Sequence, residues 1–146
     1  MELYIFNTNR ELVGIVESFE YLRWTRRYSQ CGSFELKAIA TQENAELLNE
    51  GNIIWKNDDE EAGIIEHLSL SQTDQEFITV SGHFATSFLA RRIVWQTEKL
   101  SGDISDCVEQ LIENNLINPS DVARKISGIS FSSPSLDIPI STQISY

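Results

Sequence analysis

The stretch GNIIWKNDDEEAGIIEHLSLSQTDQEFITVSGHFATSFLARRIVW, residues 51–95, carries the decision about the fold. Its polar run at 57–61 is flanked by Ile53-Ile54-Trp55 on one side and Ile64-Ile65 on the other. β-Branched and aromatic residues on both sides of a turn-forming cluster mark a hairpin. The pattern predicts an antiparallel meander over 52–57, 62–71 and 76–82, the last two joined by Gln72-Thr73-Asp74-Gln75. After Gly82 the period changes: Phe84, Phe88 and Leu89 are spaced for one helical face. That predicts a helix over 83–91, before Ile93-Val94-Trp95 resumes extended structure. The stretch offers no nucleophile, metal cage or phosphate cradle, so it describes a scaffold more readily than a catalyst.

Outward towards the amino terminus, 2–6 reads as a strand and 7–10 as a turn. Residues 12–28 read as one long strand, bent or bulged, with Phe19 and Tyr21 on one face and Leu22 and Trp24 on the other. Gly14 marks the bend, because glycine inside a strand sits at bulges and corners. After a turn at 30–32, Phe34, Leu36 and Ala38 alternate with Glu35 and Lys37, as in a half-exposed strand. Thr41 can cap a short helix over 42–50 whose apolar face is Ala45, Leu47 and Leu48, and Gly51 follows where helices stop.

Towards the carboxyl terminus, Ile104, Val108, Leu111 and Ile112 repeat at three and four residues, predicting a helix over 103–115. Asp103 and Asp106 suit the positive end of its dipole, and Cys107 reads as a small buried apolar residue on the same flank. Pro119-Ser120-Asp121 opens a further helical turn towards Lys125. From Ile126 onward Asp137 is the single charged residue, and Ile129/Phe131 and Leu136/Ile138/Ile140 alternate as strands do. Pro134 and Pro139 confine such strands to edges. A nearly uncharged alternating tail needs a partner strand, in this domain, in another subunit or in a continuing chain. The expected organisation is one domain over 1–125 and a strand-rich extension over 126–146 that leads into a further domain of a longer chain.

With 146 residues and 41% apolar composition, the chain can bury a core without disulfide or metal. Its net charge of −11 argues against a general binder of nucleic acid or anionic membranes, since phosphates call for excess Lys and Arg. The amino terminus lacks the basic and apolar regions of a signal peptide. No apolar run approaches the roughly 20 residues of a membrane span, so no membrane insertion is expected. Cys31 and Cys107 stand too far apart for a zinc motif or a disulfide framework and fit synthesis in a reducing cytosol.

Candidate chemistry is sparse. His67 and His83 could each pair with Cys31 or Cys107, but neither spacing nor flanks supports a dyad. The pattern contains no HxH, HExxH or CxxC, and the Asp58–Glu61 carboxylates crowd one hairpin tip without the glycine of a calcium loop. No catalytic residue, metal or cofactor is therefore expected. The basic residues cluster as Arg23/Arg26/Arg27, Arg91/Arg92 and Arg124/Lys125 within an acidic chain. Arginines interleaved with aromatics, as in Trp24-Thr25-Arg26-Arg27-Tyr28, superficially suggest a nucleic-acid platform. The excess negative charge elsewhere makes that costly, and the favoured use is structural: forked pairs with carboxylates, inside the domain or across a subunit boundary. Arg23, Trp24, Arg26, Arg27, Arg91 and Arg92 are the candidate oligomer interface.

The ordered set WTRRY (24–28), GSFEL (32–36), the acidic hairpin, TVSG (79–82) and LARRI (89–93) resembles siphophage and prophage tail proteins. These are tail-hub-like proteins related to the baseplate hub of contractile-tailed phages. The resemblance covers nearly the whole chain, DISDCVEQLIENNLINPSDVARKI (103–126) included. It implies an α+β fold, mainly antiparallel β, with a curved sheet or β-barrel and two or three short helices. It also implies a homotrimer at the virion tail tip, meeting distal-tail and tail-tube proteins and closing or extending the tube, without specific nucleic-acid binding. One rival is a carbohydrate-binding or adhesion module with Trp24, Trp55 or Trp95 exposed along a groove. Another is a small cell-wall hydrolase using a histidine and acidic residues.

Overall fold

In the computed structural model, which describes residues 1–72, 75–132 and 136–144, alternation of period two sets the strands of the amino-terminal part. The chain divides into two units, Met1–Ser87 and Phe88–Tyr146. In the first, β1 (Leu3–Phe6), β2 (Leu12–Val16), β3 (Tyr21–Thr25), β4 (Ser33–Ile39), β5 (Ile53–Lys56), β6 (Ala62–Gln72) and β7 (Glu76–Phe84) form one antiparallel sheet. Its strand order is β2-β1-β5-β6-β7-β4-β3. Alternate residues of each strand fill the inner face: Leu3 and Ile5, Val16, Phe34, Leu36 and Ala38, Ile54, Ile65, and Ile78, Val80 and Phe84.

The two edge strands are consecutive in sequence, and that forces the sheet to curl. Only residues 17–20 join β2 to β3, a link that spans at most about 18 Å when fully extended. The edges of a flat seven-stranded sheet would lie about 29 Å apart. A sheet with this connection must therefore roll its ends towards each other, which makes one face concave and dry. Phe19 in the link and Leu22 and Trp24 of β3 pack against the same core as Val16 of β2.

Rolling stops short of closure. Among the described residues β2 and β3 share no ladder, so the sheet is curved and the expected barrel is not formed. The link returns the chain with its ends near each other, yet the five residues of β2 already spend one irregularity, between Ile5 and Phe6 of β1, on pairing with their neighbour. The single long strand expected over 12–28 is accordingly two strands on opposite edges. Gly14 does sit beside the β1–β2 irregularity, and its missing side chain also admits a helix: a Cβ there would lie 2.6 Å from Leu47 Cδ2. Leu47 belongs to α1 (Gln42–Leu47), which Thr41 caps by accepting a hydrogen bond from Asn44 N at 3.1 Å. The helix ends three residues earlier than the sequence suggests, and Gly51 beyond it takes φ +88°. Leu47 and Leu48 are buried, so α1 caps one end of the concave interior.

A bulge between Ile65 and His67 changes the phase of β6. Before it Ile65 points inward; after it Leu68 does, so one strand serves the core on both sides of a bend. Gly82 on β7 makes the bulge possible, because a Cβ at that position would lie 1.8 Å from Ile64 O and 3.1 Å from Glu66 N. Gly82 also explains why β7 reaches Phe84 where the periodicity predicted a helix from 83. Phe84 is the next inward residue after Ile78 and Val80, with the gap filled by a residue lacking a side chain. The helix that follows, α2, is limited to Ser87–Ala90.

In the second unit β8 (Glu98–Asp103) runs directly into α3 (Ile104–Ile112), which continues as a π-helical turn over Glu113–Ile117. Asp103 caps α3 by accepting from Ser105 N at 2.9 Å, and Cys107 is buried. A 3₁₀ turn follows at Val122–Arg124. β9 (Pro139–Ile144) pairs with β8, Leu100 opposite Thr142. Pro139 opens the strand, where its missing donor costs nothing. The two compact units divide at 87/88, and residues 139–144 return to pair with 98–103 inside the second. Ile93-Val94-Trp95 and Ile129/Phe131 are not in strands. Pro134, residues 145–146 and the middle of the 72–75 turn lie outside the described residues.

Gly82→Ala places a methyl group inside a backbone carbonyl contact and is expected to cost about 4 kcal/mol or more. Gly14→Ala meets a movable leucine tip and should cost nearer ~1–2 kcal/mol. Urea unfolding of the two variants checks the ranking; equal midpoints would remove the steric account of the bulge.

Candidate functional site

The residues singled out for an interface fall into two groups, one in each unit. In the first unit Arg23 and Trp24 stand on β3 with alternate directions. Trp24 turns inward against Phe34 and Phe84, with ring centroids 5.7 and 4.7 Å away. Its indole Nε1 is buried and has no hydrogen-bond partner. Arg23, Arg26 and Arg27 are exposed. Arg26 lies 3.9 Å from Asp59 Oδ1, and Arg27 donates to Gln30 Oε1 at 3.0 Å. In the second unit Arg91 stacks over the Phe88 ring at 4.6 Å, and Arg92 Nε donates to Arg124 O at 3.0 Å. Arg26 thus meets a single carboxylate oxygen, Arg27 a side-chain amide and Arg92 a backbone carbonyl.

The acidic hairpin tip is an organised turn rather than a repelling cluster. Asp59 N donates to Lys56 O, Asp59 O accepts from Trp55 Nε1 at 2.9 Å, and Asp59 Oδ1 accepts from Glu61 N at 2.9 Å. Lys56 Nζ lies 2.9 Å from Asp58 Oδ1 and 4.0 Å from Asp59 Oδ2. The hydrogen bond from Lys56 holds the Asp58 carboxyl below its ordinary value of 3.8. One cation thus compensates two of the four acids in the run.

His83 and His67 border a small cleft of about 230 Å³ on the outer face of the sheet, with Arg23, Glu35, Glu66 and Ser81. His83 Nδ1 lies 2.6 Å from Glu66 Oε2. The Cys31 thiol is held by Gly32 O, Phe84 O and Thr86 Oγ1, so the histidine's partner is a carboxylate and not a thiol. Cys107 is buried in α3. Among the described residues no group of three or more His, Cys, Asp or Glu is placed to hold a metal ion.

Open strand edges are a feature that the sequence reasoning did not locate. β5 pairs with β6 only from Ala62 to Ile64, whereas β6 continues to Gln72 with β7 on its other side. Among the described residues no strand is paired along the outer edge of β6 from 67 to 72. That overhang reads His67-Leu68-Ser69-Leu70-Ser71-Gln72, without a Lys, Asp, Glu or Pro, and Leu70 is 70% exposed. The outer edge of β2 is similar: Leu12 and Val13 are both exposed. Soluble sheets normally guard such edges with charge, proline or a covering loop. The missing signal was one of length: only the mismatch between a four-residue β5 and an eleven-residue β6 creates the overhang.

Of the three tryptophans, Trp24 is packed as described and Trp55 lies against Tyr4 at 5.5 Å between centroids. Trp95, in the second unit, is 64% exposed.

The sequence model of the family described as Siphovirus ReqiPepy6 Gp37-like protein matches residues 2–146. No curated protein matches. Among solved structures, the prophage tail protein gp18 from Listeria monocytogenes EGD-e is similar in fold, with a TM-score of 0.61 at 11% identity. The likeness covers 84% of this chain and 38% of that one, so this chain spans well under half of that protein's length. The resemblance to siphophage and prophage tail proteins read from the sequence is borne out, as is an α+β fold built on a curved antiparallel sheet.

Trp24→Ala is expected to lower stability by about 3 kcal/mol through lost core packing. Arg27→Ala should stay within ~0.5 kcal/mol; thermal melts of the two separate core from surface. Lys56→Met should return the Asp58 titration midpoint upward towards 3.8, read by carboxyl-carbon NMR. Because the folded value is depressed, the pair's contribution is in place above about pH 4 and is lost as the pH falls through the lower folded value.

Proposed function

The chain belongs to the family of Siphovirus ReqiPepy6 Gp37-like proteins, and on that premise we propose that it works as a structural part of the tail hub or tip. In this reading it closes or extends the tail tube and supports host attachment, through contacts between subunits rather than through reactive groups. The observation that carries the reading is the unguarded edge of β6. A strand that overhangs its neighbour over 67–72, uncharged and with Leu70 70% exposed, is a ready template for pairing with another chain. Strand addition supplies main-chain hydrogen bonds for affinity and alternate side chains for specificity.

The proposed partners are further copies of this chain, as a homotrimer, and distal-tail and tail-tube proteins. Arg23, Arg26 and Arg27 are exposed on or just beyond β3 and offer the polar rim of such a contact, Arg91 doing the same in its own unit. Trp24 has no part in it, because its ring belongs to the core. The acidic surface fits a channel through which DNA must pass without sticking, since like charge repels phosphates. A catalytic reading has less support: His83 and Glu66 form a close pair, but no hydroxyl or thiol nucleophile is hydrogen-bonded to that imidazole among the described residues.

The test is the oligomeric state of the chain and of Leu70→Lys. Light scattering during gel filtration should give the wild type a mass near three times the 16.6 kDa chain. Leu70→Lys should run as a folded monomer with unchanged circular dichroism, and tails assembled with it should lack their tips in negative-stain micrographs. A wild-type monomer, together with normal tails from Leu70→Lys particles, would falsify the edge-pairing assignment.

A further inference from the structure

The second unit contains a cleft of its own, and we propose that it binds an uncharged saccharide through stacking on Trp95. The cleft has a volume of about 330 Å³, within the ordinary range for small-ligand sites. One wall is the segment from Trp95 to Glu98; the other is the end of the long helix with the loop after it, carrying Asn114, Asn118, Ser120 and Arg124.

Backbone irregularity builds this second wall. α3 widens into a π-helical turn at Glu113–Ile117, and such turns are rare and recur at functional sites. Asn115, inside the turn and only 5% exposed, uses both ends of its amide. Its Nδ2 donates to Leu111 O at 3.0 Å, and its Oδ1 accepts from Trp95 N at 3.4 Å. The second bond ties the Trp95 segment, which belongs to no strand, to the helix.

The indole itself is positioned from one side. The Arg124 guanidinium lies 5.4 Å from the Trp95 ring and donates to Ile93 O at 2.6 Å, while Arg92 Nε holds Arg124 O. With the cation on one face and 64% of the residue still exposed, the other face of the ring is offered to solvent. A large aromatic ring held in place with one face open offers a flat stacking surface to an apolar ligand face.

What surrounds the ring identifies the ligand. Glu98 accepts from Asn114 Nδ2 at 3.2 Å and from Gln110 Nε2 at 3.3 Å, which orients its carboxylate. Gln96 Nε2 donates to Ser120 Oγ at 3.4 Å, so amides and a hydroxyl line the far end. A pyranose ring presents an apolar face of C–H bonds and an equatorial belt of hydroxyls, each a donor and an acceptor. It needs a flat aromatic surface beside closely spaced amides and carboxylates, which are the groups found here. Glu98 and Arg124 balance in charge: a polyanion would meet the carboxylate and a polycation the guanidinium, so the fit is to a neutral sugar. A sugar-binding tryptophan was one of the alternatives open in the sequence; of the three, Trp95 is the exposed one. The inference is independent of the edge pairing in the first unit.

The experiment is a titration of the intact chain with two neutral trisaccharides, chitotriose and cellotriose, and with an anionic one, trigalacturonate. Saturation-transfer NMR and tryptophan fluorescence are the readouts. Saturable binding of either neutral sugar at about 1 mM, a usual strength for a single stacking site, is the expected result. Trp95→Ala should weaken it at least tenfold with unchanged circular dichroism, Trp95→Phe should retain part of it, and Asn114→Ala should weaken it about threefold. Absence of saturation by both neutral sugars at 20-fold higher concentration, binding that survives Trp95→Ala, or tighter binding of trigalacturonate would each overturn the proposal.

Discussion

Four residues between the two edge strands of one sheet constrain most of what the first unit does. The link at 17–20 cannot reach across a flat sheet, so the sheet must curl, and the curl creates an inside. Val16 and Leu22, from opposite edges, enter one core because of it. The bulge in β6 and the irregularity in β1–β2 are then the places where curvature is absorbed, since bulges raise local twist and bend. Gly82 and Gly14 stand at those two places for a shared reason: each removes a side chain that a bent backbone or a docking helix would meet.

The same constraint has an unfinished consequence. A closed barrel has no edges, whereas this sheet keeps two, and β6 adds a third where β5 is too short to accompany it. In a lone soluble domain that is an aggregation hazard; in a protein that assembles it is an interface waiting for its complement. The guard expected of a monomer is missing from 68–72, although the chain carries 22 acidic residues. Negative charge has been put at the hairpin tip beyond β5, where Lys56 and the backbone amide of Glu61 organise it, and withheld from the edge. That distribution favours selective pairing over general repulsion.

Local order was legible wherever one period ran undisturbed. Phe34-Glu35-Leu36-Lys37-Ala38, the 57–61 turn, the Thr41 cap and the Ile104 to Ile112 face all state their structure in a few residues. Two kinds of information were not local. Strand order depends on which edges meet across long separations, so nothing in 12–28 reveals that β2 joins β1 while β3 joins β4. Glycine at an inward position erases a beat of the alternation, so Phe84 looked helical through its four-residue spacing to Phe88. The interface residues show the same limit: Arg26 and Trp24 are two apart, yet one reaches a hairpin carboxylate and the other enters the core.

The second unit shows how a site can arise with little sequence signature. The helix expected over 103–115 leaves its regular course at Glu113, and the π-turn that results faces the Asn114 amide to Glu98 and ties the Asn115 amide to Trp95. Regular α-helical continuation would turn those side chains by about 100° per residue in a fixed order, without the extra residue that the wider turn inserts. The composition of the cleft therefore follows from a backbone event and not from a motif. That is why a single exposed tryptophan, indistinguishable in the sequence from the other two, carries more chemical information here than either histidine or either cysteine.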